Sequence, residues 1–270
     1  MQASQDHKSQ ENLPDAHRHF IEIAVPKIKA DPRILGVAVG GSFLLDEIDE
    51  FSDLDLVVYI DPRHYQTVLT ERTTIVQKMG SLLESFTGEH VGEPRLLICL
   101  FGPPLLHVDF KFVSMDDIAD KVETPVILWE RENTVSRQIN LTPAEFPQPD
   151  NVWIEKRFWT WVHYTATKIG RGEIFEAIEA IGFIRINVFG PKILEKRGAR
   201  PQGLRKLEFH ASQEDLEKMK KTLTKYDARD CMRALKESAE LYRALRETTG
   251  NQKLELLVLD YLDHIEARLS

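Results

Sequence analysis

Three aspartates and one glycine-rich turn are the residues whose types and spacing can do chemistry in this chain. Asp53 and Asp55 open the run "DLDLVVYI". Side chains alternate across a strand, so both carboxylates point to one side while Leu54 and Leu56 point to the other. Two carboxylates a few ångströms apart repel each other unless a cation sits between them, and an all-oxygen ligand set suits Mg²⁺. A third carboxylate stands in "LLHVDFKFV", where Leu106, Val108, Phe110 and Phe112 mark one face and His107, Asp109 and Lys111 the other. An Asp in mid-strand runs against strand propensity. If this strand lies beside the one carrying Asp53 and Asp55, the three carboxylates converge and can hold two metals about 3.5–4 Å apart, the arrangement for in-line displacement at phosphorus. Asp109 then serves as metal ligand, as base toward an attacking hydroxyl, or both. The plainer alternative is that Lys111 pairs with Asp109 on their shared face.

Upstream, Gly40-Gly41-Ser42 interrupts the hydrophobic run that precedes it. Two glycines let the backbone approach a ligand closely, and successive N–H groups in such a turn form an anion-binding concavity. The Ser42 hydroxyl adds a donor. A phosphate cradle ahead of a carboxylate pair is the minimum kit for moving a nucleotidyl group.

These residues need strands and turns to hold them. Apolar runs predict strands at Ile34–Val39, Leu54–Ile60, Arg95–Phe101 and Leu105–Val113, with a weaker one at Val126–Trp129. The stretch "HYQTVLTERTTIVQKMGSLLESF" carries apolar residues at helical spacing and no Gly or Pro until Gly80. Gly102-Pro103-Pro104 reads as a turn between adjacent antiparallel strands. Strands separated by helices predict a mixed sheet with helical cover. "NLTPAEFPQPD" holds three prolines in eleven residues and reads as a linker. Beyond it the chain reads as helical. It starts with an aromatic-rich amphipathic helix capped by Asp150, and a basic, turn-rich connection and three further helices follow later. The fold class is therefore α+β: a mixed-sheet domain over residues 1–143 and a helical bundle over 144–270.

The whole-chain figures narrow the function classes. A formal net charge of −8 argues against bulk binding of nucleic acid, which needs Lys and Arg to neutralise phosphates, and suits a cationic small substrate. No apolar run approaches the roughly 18 residues needed to span a bilayer. The start, "MQASQDHKSQENLPDAHRHF", is polar and reads as a ragged terminus before a first helix. Two cysteines, Cys99 and Cys231, make neither a disulfide framework nor a zinc site, and the expected compartment is the cytoplasm. Oligomeric state is left open.

The pattern in "GGSFLLDEIDEFSDLDLVVY" and "LHVDFKFV" resembles the DNA-polymerase-β-like nucleotidyltransferase superfamily. The segment "RFWTWVHYTATKIGRGEIFEA" looks like the first helix and turn of the helical domain in bacterial aminoglycoside adenylyltransferases. The resemblance implies a nucleotidyltransferase domain followed by a helical domain that binds substrate or nucleotide, with the substrate in the cleft between them. It implies Asp53, Asp55 and Asp109 as the Mg²⁺ triad and Gly41 and Ser42 on the triphosphate. Lys168 would be a further phosphate contact. The donor would be ATP or another NTP, and the acceptor a small hydroxylated molecule. The chain departs from many antibiotic-modifying members just after Ser42, where Phe43-Leu44-Leu45 and the acidic spacer 46–50 stand in place of an Arg- or Gly-containing segment. Two other readings stay open: a nucleotide-binding regulatory module without turnover, and a transferase whose acceptor is a protein tyrosine or an RNA end.

The remaining polar residues have ordinary readings beside chemical ones. Lys168 and Arg171 fall near a helix end, where cations favour the dipole. Glu173 acts on an acceptor or opens the next helix. Trp153, Phe158, Trp159 and Trp161 read as core rather than as a nucleobase platform. Arg200, Arg205 and Lys206 read as a charged loop, and Arg157 with His163 only loosely resembles a ribonuclease motif.

Overall fold

The computed structural model describes residues 13–45 and 47–269. The expected ragged start over residues 1–12 and the Asp46 position of the acidic spacer lie outside the described residues. The chain divides into two compact units, Met1–Phe146 and Pro147–Ser270.

The first unit is a six-stranded mixed sheet. Helix α1 (Asp15–Ala30) precedes β1 (Ile34–Val39) and β2 (Leu54–Ile60). Helix α2 (Tyr65–Val76) leads to β3 (Leu82–Gly88), β4 (Glu93–Phe101), β5 (Leu106–Ser114) and β6 (Val126–Glu130), and the short helix α3 (Ser136–Ile139) follows. The spatial order is β3-β4-β5-β2-β1-β6. Only β2 and β5 pair in parallel; the other neighbours are antiparallel. The Gly102-Pro103-Pro104 turn joins antiparallel β4 and β5, as expected.

Alternation sets the two faces. Leu54, Leu56, Val58 and Ile60 of β2 join Val108, Phe110 and Phe112 of β5 in one core, under Phe20, Ile21, Ala24 and Ile28 of α1. Those helical positions fall on one stripe, which is why α1 lies on the sheet. The opposite face carries Asp55 and Asp109, then Tyr59 and Val113, buried with Ala38, Met115, Ile118, Val135 and Ile139. One face thus holds the acids at one end and an apolar plug at the other.

One expectation is corrected. The helical spacing read through Phe86 ends at Val76; a 3₁₀ turn covers Gln77–Met79 and Leu82–Gly88 is a strand. This is an edge strand with Leu83 and Phe86 exposed, so no alternation marks it, and its pairing with β4 decides its form. The strand at Val126 is present and extends to Glu130, because it pairs along β1.

The second unit is helical. Helix α4 (Asn151–Arg171) starts at Asp150, whose side chain accepts from the Trp153 N–H, and stops at Gly172 with φ +75°. Helix α5 (Ile174–Ile184) passes through a π-helical turn (Arg185–Phe189) into α6 (Gly190–Lys196). The short α7 (Leu207–His210) and three longer helices, α8 (Gln213–Lys221), α9 (Ala228–Leu245) and α10 (Gln252–Glu266), complete it. Phe158 stacks on Tyr242 at 3.7 Å between ring centroids, with Trp159 edge-on to both. The aromatic cluster is core only in part: Phe158 and Trp159 are buried, whereas Trp153 is exposed and carries the Arg157 guanidinium over its ring. Among the described residues, no helix is long and apolar enough to cross a membrane.

Candidate active site

The glycine turn and the first carboxylates are held by one ladder. Val39 pairs with Leu56, and one step further the Gly40 N–H donates to the Asp55 carbonyl at 2.9 Å. Gly41 then turns with φ +62°, in the left-handed region. A Cβ there would lie 1.9 Å from Asp55 Oδ2, so only a hydrogen fits between this backbone and the carboxylate. A 3₁₀ turn over Gly41–Leu45 follows, pinned by buried Phe43. The Ser42 hydroxyl oxygen is buried and has no hydrogen-bond partner. A buried polar atom left unsatisfied in a native fold calls for an explanation, and a bound ligand is one.

The three aspartates converge. Asp55 and Asp109 are register partners in the parallel pair β2–β5. Asp53 precedes β2 on the same side as Asp55. Each of the three offers one carboxylate oxygen, and these oxygens lie within 4.8 Å of one another, all half-buried. An all-oxygen set of this density fits a hard divalent cation such as Mg²⁺. Two histidines support it. His17, buried in α1, places Nε2 2.7 Å from the Ser52 carbonyl and so ties the residue before Asp53 to the helix. His107 Nε2 lies 2.8 Å from Asp109 Oδ1.

Lys111, the ordinary partner expected for Asp109, has another carboxylate beside it. Lys111 pairs with Glu93, at 2.9 Å, and Arg95 grips the same carboxylate at 2.7 Å. The hydrogen bonds from Arg95, then Lys111, hold the Glu93 carboxyl down to about 2, against the burial that opposes them. On β4, burial, and after it the negative charge of Asp109, pushes the Cys99 thiol up to about 12, so it stays protonated and inert.

A fourth carboxylate, invisible to sequence reasoning, enters the turn. The Gly41 N–H donates to Glu123 Oε1 at 2.6 Å, across 82 positions of sequence. The surrounding "KVETPV" has no pattern that marks it; only the pairing of β6 with β1 brings it here.

The expected residues of the second unit make local pairs. Lys168 Nζ donates to Glu173 Oε2 at 2.7 Å and lies 5.0 Å over the Tyr164 ring. Its bond, with help from Arg171, holds the Glu173 carboxyl below its usual range. Arg157 covers Trp153, and His163 packs on Tyr261 at 4.7 Å. Lys206 sits in the basic connection with φ +56°.

Residues 21–92 match the family model for a nucleotidyltransferase domain. The match spans the glycine turn, Asp53 and Asp55, and stops short of Asp109. It bears out the resemblance of the first unit to nucleotidyltransferases and supports transferase activity. No curated protein matches the chain. Among solved structures, the chain is similar to an aminoglycoside 6-adenyltransferase from Bacillus subtilis at 14% identity and a TM-score of 0.42, over 91% of this chain and 97% of that one. It is also similar to a nucleotidyltransferase-like protein from Exiguobacterium sibiricum at 13% identity and a TM-score of 0.31, over 94% and 75%.

Proposed function

We propose that the chain is a Mg²⁺-dependent nucleotidyltransferase that moves AMP from ATP to a hydroxyl of a small, cationic acceptor of the aminoglycoside kind. The observation that carries this reading is the convergence of Asp53, Asp55 and Asp109 beside the Gly41-Ser42 turn. Asp53, Asp55 and Asp109 would hold the metal, which when bound offsets the negative charge of the triphosphate. The Gly41 N–H and the Ser42 hydroxyl would donate to phosphate oxygens. In the step itself, the acceptor oxygen bonds to the α-phosphorus and the bond from that phosphorus to the α–β bridging oxygen breaks. Pyrophosphate leaves with the bond's electron pair. Asp109 takes the hydroxyl proton, with His107 holding its carboxylate in place. The acceptor class rests on the resemblance of the segment around Lys168 and on the net charge of −8. An ATP donor and two free, buried cysteines fit a cytoplasmic protein.

The test is pyrophosphate release from Mg²⁺–ATP across a panel of aminoglycosides, for the wild type and Asp55→Asn. Release that needs both an acceptor and Asp55 supports the reading. Release that survives the substitution sinks the site assignment.

A further inference from the structure

We propose that Glu123 is a built-in occupant of the phosphate cradle, which the nucleotide must displace, so that this one residue sets the affinity for the donor. The proposal rests on the reading above, in which the Gly40-Gly41-Ser42 turn takes a triphosphate.

The topology places Glu123 there. β6 runs antiparallel to β1, with Val39 opposite Val126. Continuing that register past both strand ends brings residue 123 opposite residue 42. The side chain reaches back so that Oε1 accepts the Gly41 N–H at 2.6 Å. A Cβ on Gly40 would lie 2.4 Å from the same oxygen. Gly40 thus leaves room for this carboxylate as Gly41 leaves room for that of Asp55. A carboxylate oxygen and a phosphate oxygen are both anionic acceptors, and one N–H cannot serve both with full strength. Glu123 also adds negative charge beside Asp55, where a polyphosphate brings more, so the two anions exclude each other by charge as well as by volume. The neighbouring Ser42 hydroxyl has no partner even with Glu123 in place, which leaves part of the cradle for a larger, multidentate anion.

The segment around Glu123 has no regular structure of its own. Residues 118–125 form neither helix nor strand, and Val122 and Thr124 on either side are exposed. The backbone is anchored just upstream, where Lys121 Nζ donates to the Thr142 carbonyl at 2.6 Å and the Glu145 N–H donates to the Lys121 carbonyl at 3.0 Å. Rotation about the Glu123 side chain would free the Gly41 N–H while the backbone ahead of β6 stays anchored.

The experiment is calorimetric titration of the full chain with tripolyphosphate and with Mg²⁺–ATP, for wild type, Glu123→Gln and Glu123→Ala. Gln keeps an acceptor and loses the charge; Ala loses both. Both variants are expected to bind each probe more tightly, Ala by about tenfold or more, the scale of one charge-assisted hydrogen bond removed from competition. The KM for ATP should fall in step with the tighter binding. Thermal melts check folding; if the Ala variant does not fold, the Gln variant decides, supported by the Gly41 amide resonance, which should move on substitution and again on adding tripolyphosphate. Unchanged or weaker binding in a folded variant, with the wild type binding, overturns the role of Glu123 and leaves the nucleotide reading standing. Absence of binding in all three proteins overturns both. Binding by the variants alone supports both.

Discussion

Asp55 and Asp109 stand directly opposite each other in the parallel strand pair between β2 and β5. Parallel pairing points both side chains to the same face, and the glycine turn closes that face at Gly41. Neutralising either carboxylate without changing its shape isolates its charge. Asp55→Asn and Asp109→Asn should each lower kcat/KM by roughly a thousandfold, the scale of losing one preorganised electrostatic group, while melting within a few degrees of wild type. Steady-state pyrophosphate release with parallel thermal melts checks this. A variant that keeps its rate removes that residue from the site.

Three acids sharing a space of 4.8 Å repel in the absence of a cation. Mg²⁺ or Mn²⁺ should therefore raise the melting temperature of the wild type, and a chelator should reverse it. At about 100 times its Kd a bound ion stabilises by roughly 2.7 kcal/mol. Asp53→Asn and Asp55→Asn should lose most of that rise. An equal rise in the variants would locate the ion elsewhere.

At Gly41 two demands meet: a φ of +62° and a carboxylate 1.9 Å from where a Cβ would stand. Gly41→Ala should cost about 1–2 kcal/mol from the left-handed backbone alone. It also pushes Asp55 out of position, so activity should fall far more than stability. Urea denaturation and turnover measured together separate the two effects. Gly172, also at positive φ but with open space around it, is the control: Gly172→Ala should cost stability and leave turnover unchanged.

Acid should act on the sheet through Glu93. Its carboxyl is held down to about 2 from an ordinary 4.5 by Arg95 and Lys111. A depressed carboxylate adds stability above its unfolded value and loses it as the pH falls toward the folded value. The stability gap between wild type and Glu93→Gln should thus be constant from about pH 7 to 5.5 and close between about 4.5 and 2. Denaturant titrations across that range read it directly. A gap that widens in acid contradicts the assignment.

Local period carried much of this protein's chemistry in the sequence itself. The alternation around Asp53-Leu54-Asp55 and around Asp109 is a property of a strand's two-residue repeat, so it shows which face each carboxylate takes before any fold is known. The Asp150 cap and the strands at Ile34, Leu54 and Leu106 are legible for the same reason: each is decided within a few residues. Burial that leaves no pattern was not legible. The edge strand Leu82–Gly88 exposes Leu83 and Phe86 and shows no alternation, so its hydrogen bonds to β4 decide it; β6, half-buried along its whole length, gave only a weak signal for the same reason. The same holds at the site. That β5 lies beside β2, that Lys111 meets Glu93 of β4, and that Glu123 reaches Gly41 across 82 positions are consequences of strand order. Tertiary pairing alone sets such distances, because residues far apart in a chain meet only where the sheet puts their backbones side by side.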